Sequence, residues 1–127
     1  MKRIDSDFLS DGTSCVGWLY LPDHISQPPV VIMAHGIAAE RTFGLPDFAE
    51  RFVERGLGVF IFDYRNFGDS DGQPRNLVNP YRHVHYWEAA TSHVQTLRES
   101  TETEHYYEAP KYKVQPYSWL TSQPRLN

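Results

Sequence analysis

Two short apolar runs, each ending abruptly at polar or small residues, constrain the fold of this chain most strongly. The first, Val30–Ala34, stops at His35-Gly36, and the second, residues 59–62, runs straight into Asp63. Runs of this length, rich in β-branched and aromatic side chains, predict strands that are buried on both faces, as in a parallel sheet. Each strand delivers its backbone to the loop that follows, and we expect the loop that begins at His35-Gly36 to be functional.

Turn residues and helical spacing predict the elements on either side of the first run. Asp11-Gly12 is a strong turn signal, so residues 8–10 and 16–21 are expected to form a β-hairpin. A helix is predicted over residues 46–55, because proline suits its first turn and Gly56 stands where a C-terminal glycine cap belongs. Its expected buried face consists of Phe48, Phe52 and Val53.

The rest of the chain divides into a loop, a second helix and a tail of different character. Residues 63–80 are rich in Gly, Pro, Asn and Asp and predict a loop. Residues 82–97 predict a helix, and its expected apolar stripe consists of Val84, Trp87, Thr91, Val94 and Leu97. Strands that alternate with helices indicate an α/β fold. We therefore expect one domain over residues 1–98, and an irregular tail over residues 99–127 that is disordered or unrelated to the fold.

Composition and charge argue against several classes of function. The chain has 127 residues, a net charge of −4 and a pI near 5.8, which argues against nucleic-acid or anionic-membrane partners. No apolar run is long enough to span a bilayer, and the N-terminus lacks the apolar core of a signal peptide. Cys15 stands alone, so no intrachain disulfide can form, and a cytoplasmic location is expected.

Two motifs, in their order along the chain, resemble the N-terminal half of an α/β-hydrolase. The first is the strand that ends in His35-Gly36, and the second is D-x-R-x-x-G-x-S over residues 63–70, with a helix between them. The similarity covers residues 8–97 and is closest to the serine-hydrolase branch of dienelactone-hydrolase-like and Xaa-Pro-peptidase-like enzymes. It implies a truncated α/β-hydrolase sheet, with an N-terminal β-hairpin followed by strand, helix, strand, loop and helix. No metal ion or organic cofactor is implied.

The resemblance assigns an oxyanion-binding role to the loop after His35. In the family, a backbone N–H from this loop stabilises the oxyanion of acyl transfer, and one such donor lowers the barrier by roughly 2.7–4 kcal/mol. The matching donor here is the N–H of Ile37, and Gly36 would let the backbone turn tightly with no Cβ in the way. The alternative for Gly36 is a plain turn at the end of a strand. The resemblance gives His35 a loop-shaping role, because the family's catalytic histidine follows the acid near the C-terminus.

Ser70 is the candidate nucleophile that the motifs offer, and its surroundings argue against that role. Residues 68–72 match G-x-S-x-G letter for letter, but a nucleophile elbow lies directly between a buried strand and a helix. Ser70 instead stands well past the strand in the predicted loop, where Asp69 and Asp71 would oppose a nearby oxyanion. The resemblance makes Ser70 a structural loop residue, so no catalytic residue is assigned.

Other chemically active side chains have structural explanations. The histidines of the predicted second helix lack the spacing and the companion ligands of a metal site and are expected to be solvated. These are His83, His85 and His93. Cys15 is expected to be a packed, unreactive thiol. Asp63 and Arg65 are expected to form an ion pair or hydrogen bonds within their loop.

The family's nucleophile elbow does not follow these motifs, and three hypotheses result. The first is an incomplete, inactive hydrolase fragment without nucleophile, acid or catalytic histidine, related to enzymes that hydrolyse esters or amides. The second is one chain of a split serine hydrolase, which binds a small acyl substrate only when a second chain completes it. The third is a non-enzymatic interaction module that uses an exposed sheet edge. Without the family's next strand, Val30–Met33 forms that edge, so self-association or aggregation is expected.

Overall fold

The computed structural model of the protein describes residues 1–104, which contain six strands and two helices. In chain order these are β1 (Lys2–Asp5), β2 (Phe8–Ser10), β3 (Thr13–Cys15), β4 (Gly17–Leu21), β5 (Val30–Ala34), α1 (Leu45–Glu54), β6 (Gly58–Phe62) and α2 (Pro80–Glu104). The predicted α/β architecture and the strand–helix–strand–loop–helix order are confirmed. Of the predicted tail, residues 99–104 continue α2, and residues 105–127 lie outside the described residues.

Four strands form one mixed sheet in the order β1-β4-β6-β5. β4 is antiparallel to both β1 and β6, whereas β5 runs parallel to β6 along its whole length. The parallel pair therefore brings the β5–α1 loop (residues 35–44) and the β6–α2 loop (residues 63–79) to the same end of the sheet. Within residues 1–104, β5 has no strand on its other side, which agrees with the predicted edge.

The predicted hairpin exists, but its second strand is β3. β2 pairs with β3 across Asp11-Gly12, whose φ angles of 47° and 76° are those of a type I′ turn. β4 leaves the hairpin and joins the main sheet, so the prediction that residues 16–21 pair with residues 8–10 was wrong. β1 was not predicted, because Lys-Arg-Ile-Asp contains no apolar run and becomes a strand only through its pairing with β4.

The C-terminus of α1 is capped by glycine, as predicted. Gly56 has a φ of 83°, and its N–H donates to the carbonyl of Val53 at 2.9 Å. The N–H of Leu57 donates to the carbonyl of Phe52 at 3.2 Å. These two bonds form a Schellman motif, which satisfies carbonyls that the helix end would otherwise leave free.

The buried face of α1 differs from the predicted one. Ala49 and Val53 are buried, whereas Phe48 and Phe52 are 62% and 36% exposed. The two stripes are adjacent on the helix, and the sequence pattern favoured the one with the larger apolar rings. Only Val53 of the predicted face is buried, because α1 packs on β4 and β6 through its smaller side chains.

β6 contributes to the core on both faces of the sheet, and all five of its residues are buried, as predicted. Val59 and Ile61 pack on the α1 side with Tyr20, Ala49 and Val53. Phe60 and Phe62 pack on the α2 side, where their buried partners include Phe8, Cys15, Tyr64, Tyr86, Ala90 and Val94. β6, which ends directly before Asp63, is therefore buried along its whole length beneath the two loops.

α2 extends beyond both predicted ends, and its buried stripe is shifted. The side chain of Asn79 accepts the N–H of Arg82 at 3.2 Å and so caps the start of the helix. The fully packed positions are Tyr86, Ala90 and Val94. Val84, predicted in the stripe, is 58% exposed, because it lies on the opposite side of the helix from Tyr86. Of the other predicted positions, Val94 is buried, and Trp87, Thr91 and Leu97 are half-buried beside it.

Candidate functional site

His35 ties the start of the β5–α1 loop to the start of the β6–α2 loop. Its ring is buried, Nε2 accepts the N–H of Tyr64 at 3.3 Å, and Nδ1 lies 3.0 Å from the carbonyl oxygen of Gly36. Because the Tyr64 N–H only donates and the Gly36 carbonyl only accepts, this network assigns the ring proton to Nδ1. Both nitrogens are engaged within the protein, an arrangement that suits a loop-shaping residue better than a catalytic base.

The same histidine orients the peptide unit between Gly36 and Ile37. The Gly36 carbonyl oxygen accepts hydrogen bonds from His35 Nδ1 and, at 3.3 Å, from the N–H of Ala39. In a planar trans peptide the C=O and N–H point in opposite directions, so these bonds aim the Ile37 N–H away from His35. Within the described part of the chain that N–H has no hydrogen-bond partner, and Ile37 is 79% exposed.

The positive φ of this turn belongs to Ala38 rather than to Gly36. Ala38 has a φ of 60° and is the third residue of a type II turn, which the bond between Ala39 and Gly36 closes. Gly36 has no positive φ, and a Cβ added to it would meet nothing within 4 Å. Neither backbone conformation nor steric crowding therefore requires glycine at this position. The space over Gly36 is open beside the Ile37 N–H.

Asp63, directly after β6, joins the two loops. Its buried carboxylate accepts the backbone N–H of Arg41 at 2.7 Å, the Arg41 guanidinium, and the N–H of Asp69 at 3.1 Å. His35 Nε2 is 3.6 Å from this carboxylate, and because its lone pair faces the Tyr64 N–H, it is not an ion-pair partner. The carboxylate therefore fixes the β5–α1 loop to the β6–α2 loop through Arg41.

The predicted pair between Asp63 and Arg65 does not form, although Asp63 does hydrogen-bond within its loop, to the N–H of Asp69. Arg65 instead binds Asp11 of the hairpin turn at 3.1 Å, and its guanidinium carbon lies 4.9 Å from the ring centroid of Tyr86. Opposite charges two residues apart suggested a local pair. In the structure, Arg65 points toward the hairpin, and the Asp63 carboxylate points toward Arg41.

Gly68 explains the spacing of the D-x-R-x-x-G motif. Its φ is 52°, and a Cβ added to it would overlap the carboxylate of Asp63. The loop returns to Asp63 at this point so that the N–H of Asp69 can reach the carboxylate. The motif thus encodes a close approach of backbone to a buried carboxylate, which only glycine permits.

Ser70 is buried, and its hydroxyl is engaged as both donor and acceptor. It donates to the carbonyl of Asp63 at 2.8 Å and accepts the N–H of Val16 at 2.9 Å. Among the described residues, no histidine or carboxylate hydrogen-bonds to it. This geometry agrees with a structural serine that joins the β6–α2 loop to the residue before β4.

Cys15 is fully buried beside Ser70 and is not paired in a disulfide. Burial raises the pKa of its thiol to about 11, although a hydrogen bond with Ser70 acts in the opposite direction. A thiol with so high a pKa is a poor nucleophile at neutral pH. The prediction of a packed cysteine is confirmed.

His83 is packed rather than solvated, which corrects the prediction for this residue. Its ring stacks on Tyr64 with centroids 4.4 Å apart, and its Nε2 is buried without a hydrogen-bond partner among residues 1–104. Burial lowers its pKa. The ring therefore supports Tyr64, whose N–H holds His35.

His93 is packed as well, whereas His85 is solvated as predicted. The His93 ring stacks on Phe8 at 5.5 Å and its Nε2 lies 2.8 Å from the hydroxyl of Ser6. Burial lowers its pKa. The His85 side chain is 62% exposed. Over the part of the chain that the structure describes, no three His, Cys, Asp or Glu side chains are grouped to hold a metal ion, and no helix has the length and apolar character to cross a membrane.

An open groove of about 250 Å³ lies between the two loops, beside Ile37. Its apolar walls include Ile37, Phe43, Phe67 and Val78, and its polar walls include Glu40 and Asn76. Ile37, Phe43 and Val78 are 79%, 64% and 41% exposed. Apolar side chains thus remain exposed next to the unbonded Ile37 N–H.

Sequence reasoning missed Arg41 and Tyr64. Arg41 binds carboxylates at positions 63 and 69, and no local pattern in Glu40-Arg41-Thr42 indicates partners so far along the chain. Tyr64 acts through its backbone N–H, which any residue except proline provides. A signal for Arg41 does exist, because a buried carboxylate directly after a core strand requires a cation or several donors from elsewhere.

Comparison with known proteins gives the family of this chain. No family model matches the sequence. The quorum-quenching protein AidA of Acinetobacter baumannii is 40% identical over 94 residues, which are 74% of this chain and 31% of that protein. The thiohydrolase aneE of Aspergillus aculeatus is 39% identical over 87 residues, 67% of this chain and 27% of that protein. The chain thus spans about a third of the length of the curated relatives it matches.

Solved structures give the same result. The α/β-hydrolase GrgF from Penicillium is 32% identical with a TM-score of 0.69, over 75% of this chain and 32% of that chain. DcsB, solved with a substrate analogue, is 30% identical with a TM-score of 0.69 over the same shares of both chains. With the mixed sheet and the two loops in place, the chain belongs to the α/β-hydrolase superfamily, and its match to about a third of those chains is consistent with an N-terminal part of that fold.

Proposed function

We propose that this chain supplies the oxyanion-binding part of a serine-hydrolase site and is catalytically incomplete by itself. The observation that carries the proposal is the Ile37 N–H, which His35 orients and which has no partner within residues 1–104. Preoriented backbone donors of this kind stabilise a tetrahedral oxyanion, and loss of one costs about 10²–10³ in kcat. The hydroxyl of Ser70 is already hydrogen-bonded as donor and acceptor, which supports the proposal that the chain is catalytically incomplete by itself.

The substrate that we propose for the completed site is an apolar acyl group held in an ester, thioester or amide bond. The exposed apolar side chains of Ile37, Phe43 and Val78, which line the groove, support the apolar acyl group. The names of relatives that are thiohydrolases or polyketide transferases favour an acyl thioester. In the completed enzyme a serine hydroxyl would attack the acyl carbon and expel the alcohol, thiol or amine of the substrate, and water would then hydrolyse the acyl-serine to release the carboxylic acid.

The test is labelling with a fluorophosphonate, which reacts with activated serines. The purified chain and the matched Ser70→Ala variant are incubated with the probe and their intact masses are measured. We expect no adduct on either protein. An adduct that disappears in Ser70→Ala would make Ser70 a nucleophile, and an adduct on both would reveal another activated serine. Either result contradicts the proposal that the chain is incomplete.

A split hydrolase is the second candidate, and the position of β5 at the sheet edge favours it. A second chain would add a strand beside β5 and contribute the nucleophile, the acid and the catalytic histidine. Native purification from the source cells, followed by fluorophosphonate labelling, separates the possibilities. An adduct on a co-purifying chain supports the split enzyme. A stable complex with no adduct favours a non-enzymatic module that binds strands through its edge.

We also propose that the protein works in the cytoplasm. The buried, unpaired thiol of Cys15 supports this location, because a reducing compartment keeps single cysteines free. Cell fractionation with an antibody against the chain tests the proposal. Recovery in a periplasmic or secreted fraction would contradict it.

A further inference from the structure

Arg41 occupies an unusual position for an arginine in a loop. The residue is 4% exposed, and its backbone N–H donates to one oxygen of Asp63 at 2.7 Å while its guanidinium donates to the other. A second guanidinium nitrogen donates to Asp69 at 2.8 Å. Arg41 is thus bonded through both its main chain and its side chain to the residues that follow β6.

Burying a guanidinium has a large desolvation cost, which this site offsets. Burial alone would lower the pKa of Arg41, but the hydrogen bond with Asp69 and the charge of Asp63 outweigh it and raise the pKa. The guanidinium carbon also lies 4.2 Å from the ring centroid of Trp18, a cation–π contact. A buried charge with two carboxylates and an aromatic ring has a defined position, because any movement breaks charged hydrogen bonds.

We propose that Arg41 is a positioning residue for the oxyanion-binding segment of the β5–α1 loop. His35 holds the start of this segment through Tyr64, and Arg41 holds its end through Asp63 and Asp69. Between them lie only residues 36–40, which include the Ile37 N–H. With both ends bonded to the β6–α2 loop, the segment keeps its geometry without any contribution from the remainder of the family fold.

The inference rests on the proposed function in so far as this segment binds an oxyanion. Displacing a catalytic donor by about 1 Å can cost about 100-fold in rate. A completed enzyme would therefore depend on the clamp that Arg41 forms with Asp63 and Asp69. The clamp itself is a property of the chain and is measurable without activity.

The test is amide hydrogen exchange, measured by NMR, in wild type and Arg41→Lys. Lysine keeps the charge but lacks the rigid planar fork whose two terminal nitrogens bind Asp63 and Asp69 separately in the wild type. The amides of Ala39 and Phe43, which bond to Gly36 and Glu40 within the loop, are expected to exchange at least about 10-fold faster. The amides of β6 should be unchanged, since a purely structural loss would accelerate them as well. The matched control is Arg82→Lys, at an exposed arginine, which should behave as wild type.

Asp69→Ala provides a milder variant if Arg41→Lys does not fold. Asp69 is 72% exposed, so its loss removes one anchor of Arg41 and spares the buried Asp63. Exchange at Ala39 and Phe43 should then accelerate about threefold. Wild-type exchange in whichever variant is folded would overturn the inference. Fluorophosphonate labelling of Ser70 would overturn the proposed function alone, because the exchange result does not depend on it.

Discussion

Single side chains with distant partners hold the two loops together. The carboxylate of Asp63 accepts three hydrogen bonds from Arg41 and Asp69, and the ring of His35 bridges Gly36 and Tyr64. The motif over residues 63–70 could be recognised from the sequence because its parts are close together. The contacts of Arg41 could not be recognised from the sequence, because they depend on the parallel pairing of β5 with β6, which no local pattern specifies.

Gly68→Ala is expected to lower the free energy of unfolding more than Gly12→Ala. Both glycines have a positive φ, 52° and 76°, and alanine costs about 1 kcal/mol in such a conformation. Only at Gly68 does the added Cβ overlap a neighbour, the Asp63 carboxylate, whereas Gly12 has nothing within 4 Å. Displacing that carboxylate leaves buried donors unpaired at about 1–3 kcal/mol each. Urea denaturation of both variants measures the difference, and equal losses would contradict this reading of the motif.

At the scale of elements, the sequence predicted which segments are strands and helices better than which faces they bury. β5, β6 and the glycine cap of α1 were predicted because apolar runs and glycine signals are local. The predictions of the buried helix faces were less accurate, because Ala49 and Ala90 are buried while Phe48 and Val84 are exposed. Alanine gives a weak apolar signal, yet its small side chain suits a close contact between helix and sheet.

The packed histidines of α2 predict that stability falls as the solution becomes acidic. Burial lowers the pKa of both His83 and His93 below the ordinary value of 6.5. Near and below pH 6.5 the unfolded chain therefore binds more protons than the folded one, so the folded state loses stability as the pH falls and the loss levels off below the folded-state pKa. Thermal unfolding between about pH 7.5 and pH 5 should show a falling Tm.

Two variants separate this effect from the titration of carboxylates. His93→Gln should weaken the dependence of Tm on pH, because it removes one of the two groups. His85→Gln replaces a side chain that is 62% exposed and should leave the slope as in wild type. If the His93→Gln profile is parallel to that of wild type, His93 does not titrate differently in the folded state.

At the scale of the whole molecule, the four-stranded sheet of the described residues has a helix on each side, and β5 lies at one of its edges. β5 bonds only to β6 within the described residues, and all five of its residues are half-buried. The exposed Phe48 and Phe52 of α1 add further apolar surface. Exposed edges and apolar faces of this kind favour association with another chain.

We expect the purified chain to self-associate as its concentration rises, and Val31→Lys to reduce this association. A lysine on an edge strand opposes strand pairing between copies, because its charge would be desolvated. Gln95→Lys, at an exposed position of α2, adds the same charge away from the edge and should associate as wild type does. Sedimentation velocity over a concentration series provides the measurement. A wild-type chain that stays monomeric throughout would contradict the prediction.

Because Arg41 stacks on Trp18, the state of the clamp can be followed by tryptophan fluorescence. Trp18 packs on the α1 side of the sheet, and the guanidinium carbons of Arg3 and Arg41 lie 4.5 Å and 4.2 Å from its ring centroid. Trp87 packs on the α2 side, where its indole N–H donates to the hydroxyl of Tyr64. Each layer of the molecule therefore contains its own intrinsic fluorophore. In a variant that retains only Trp18, we expect the emission wavelength to change when the guanidinium of Arg41 no longer covers the indole.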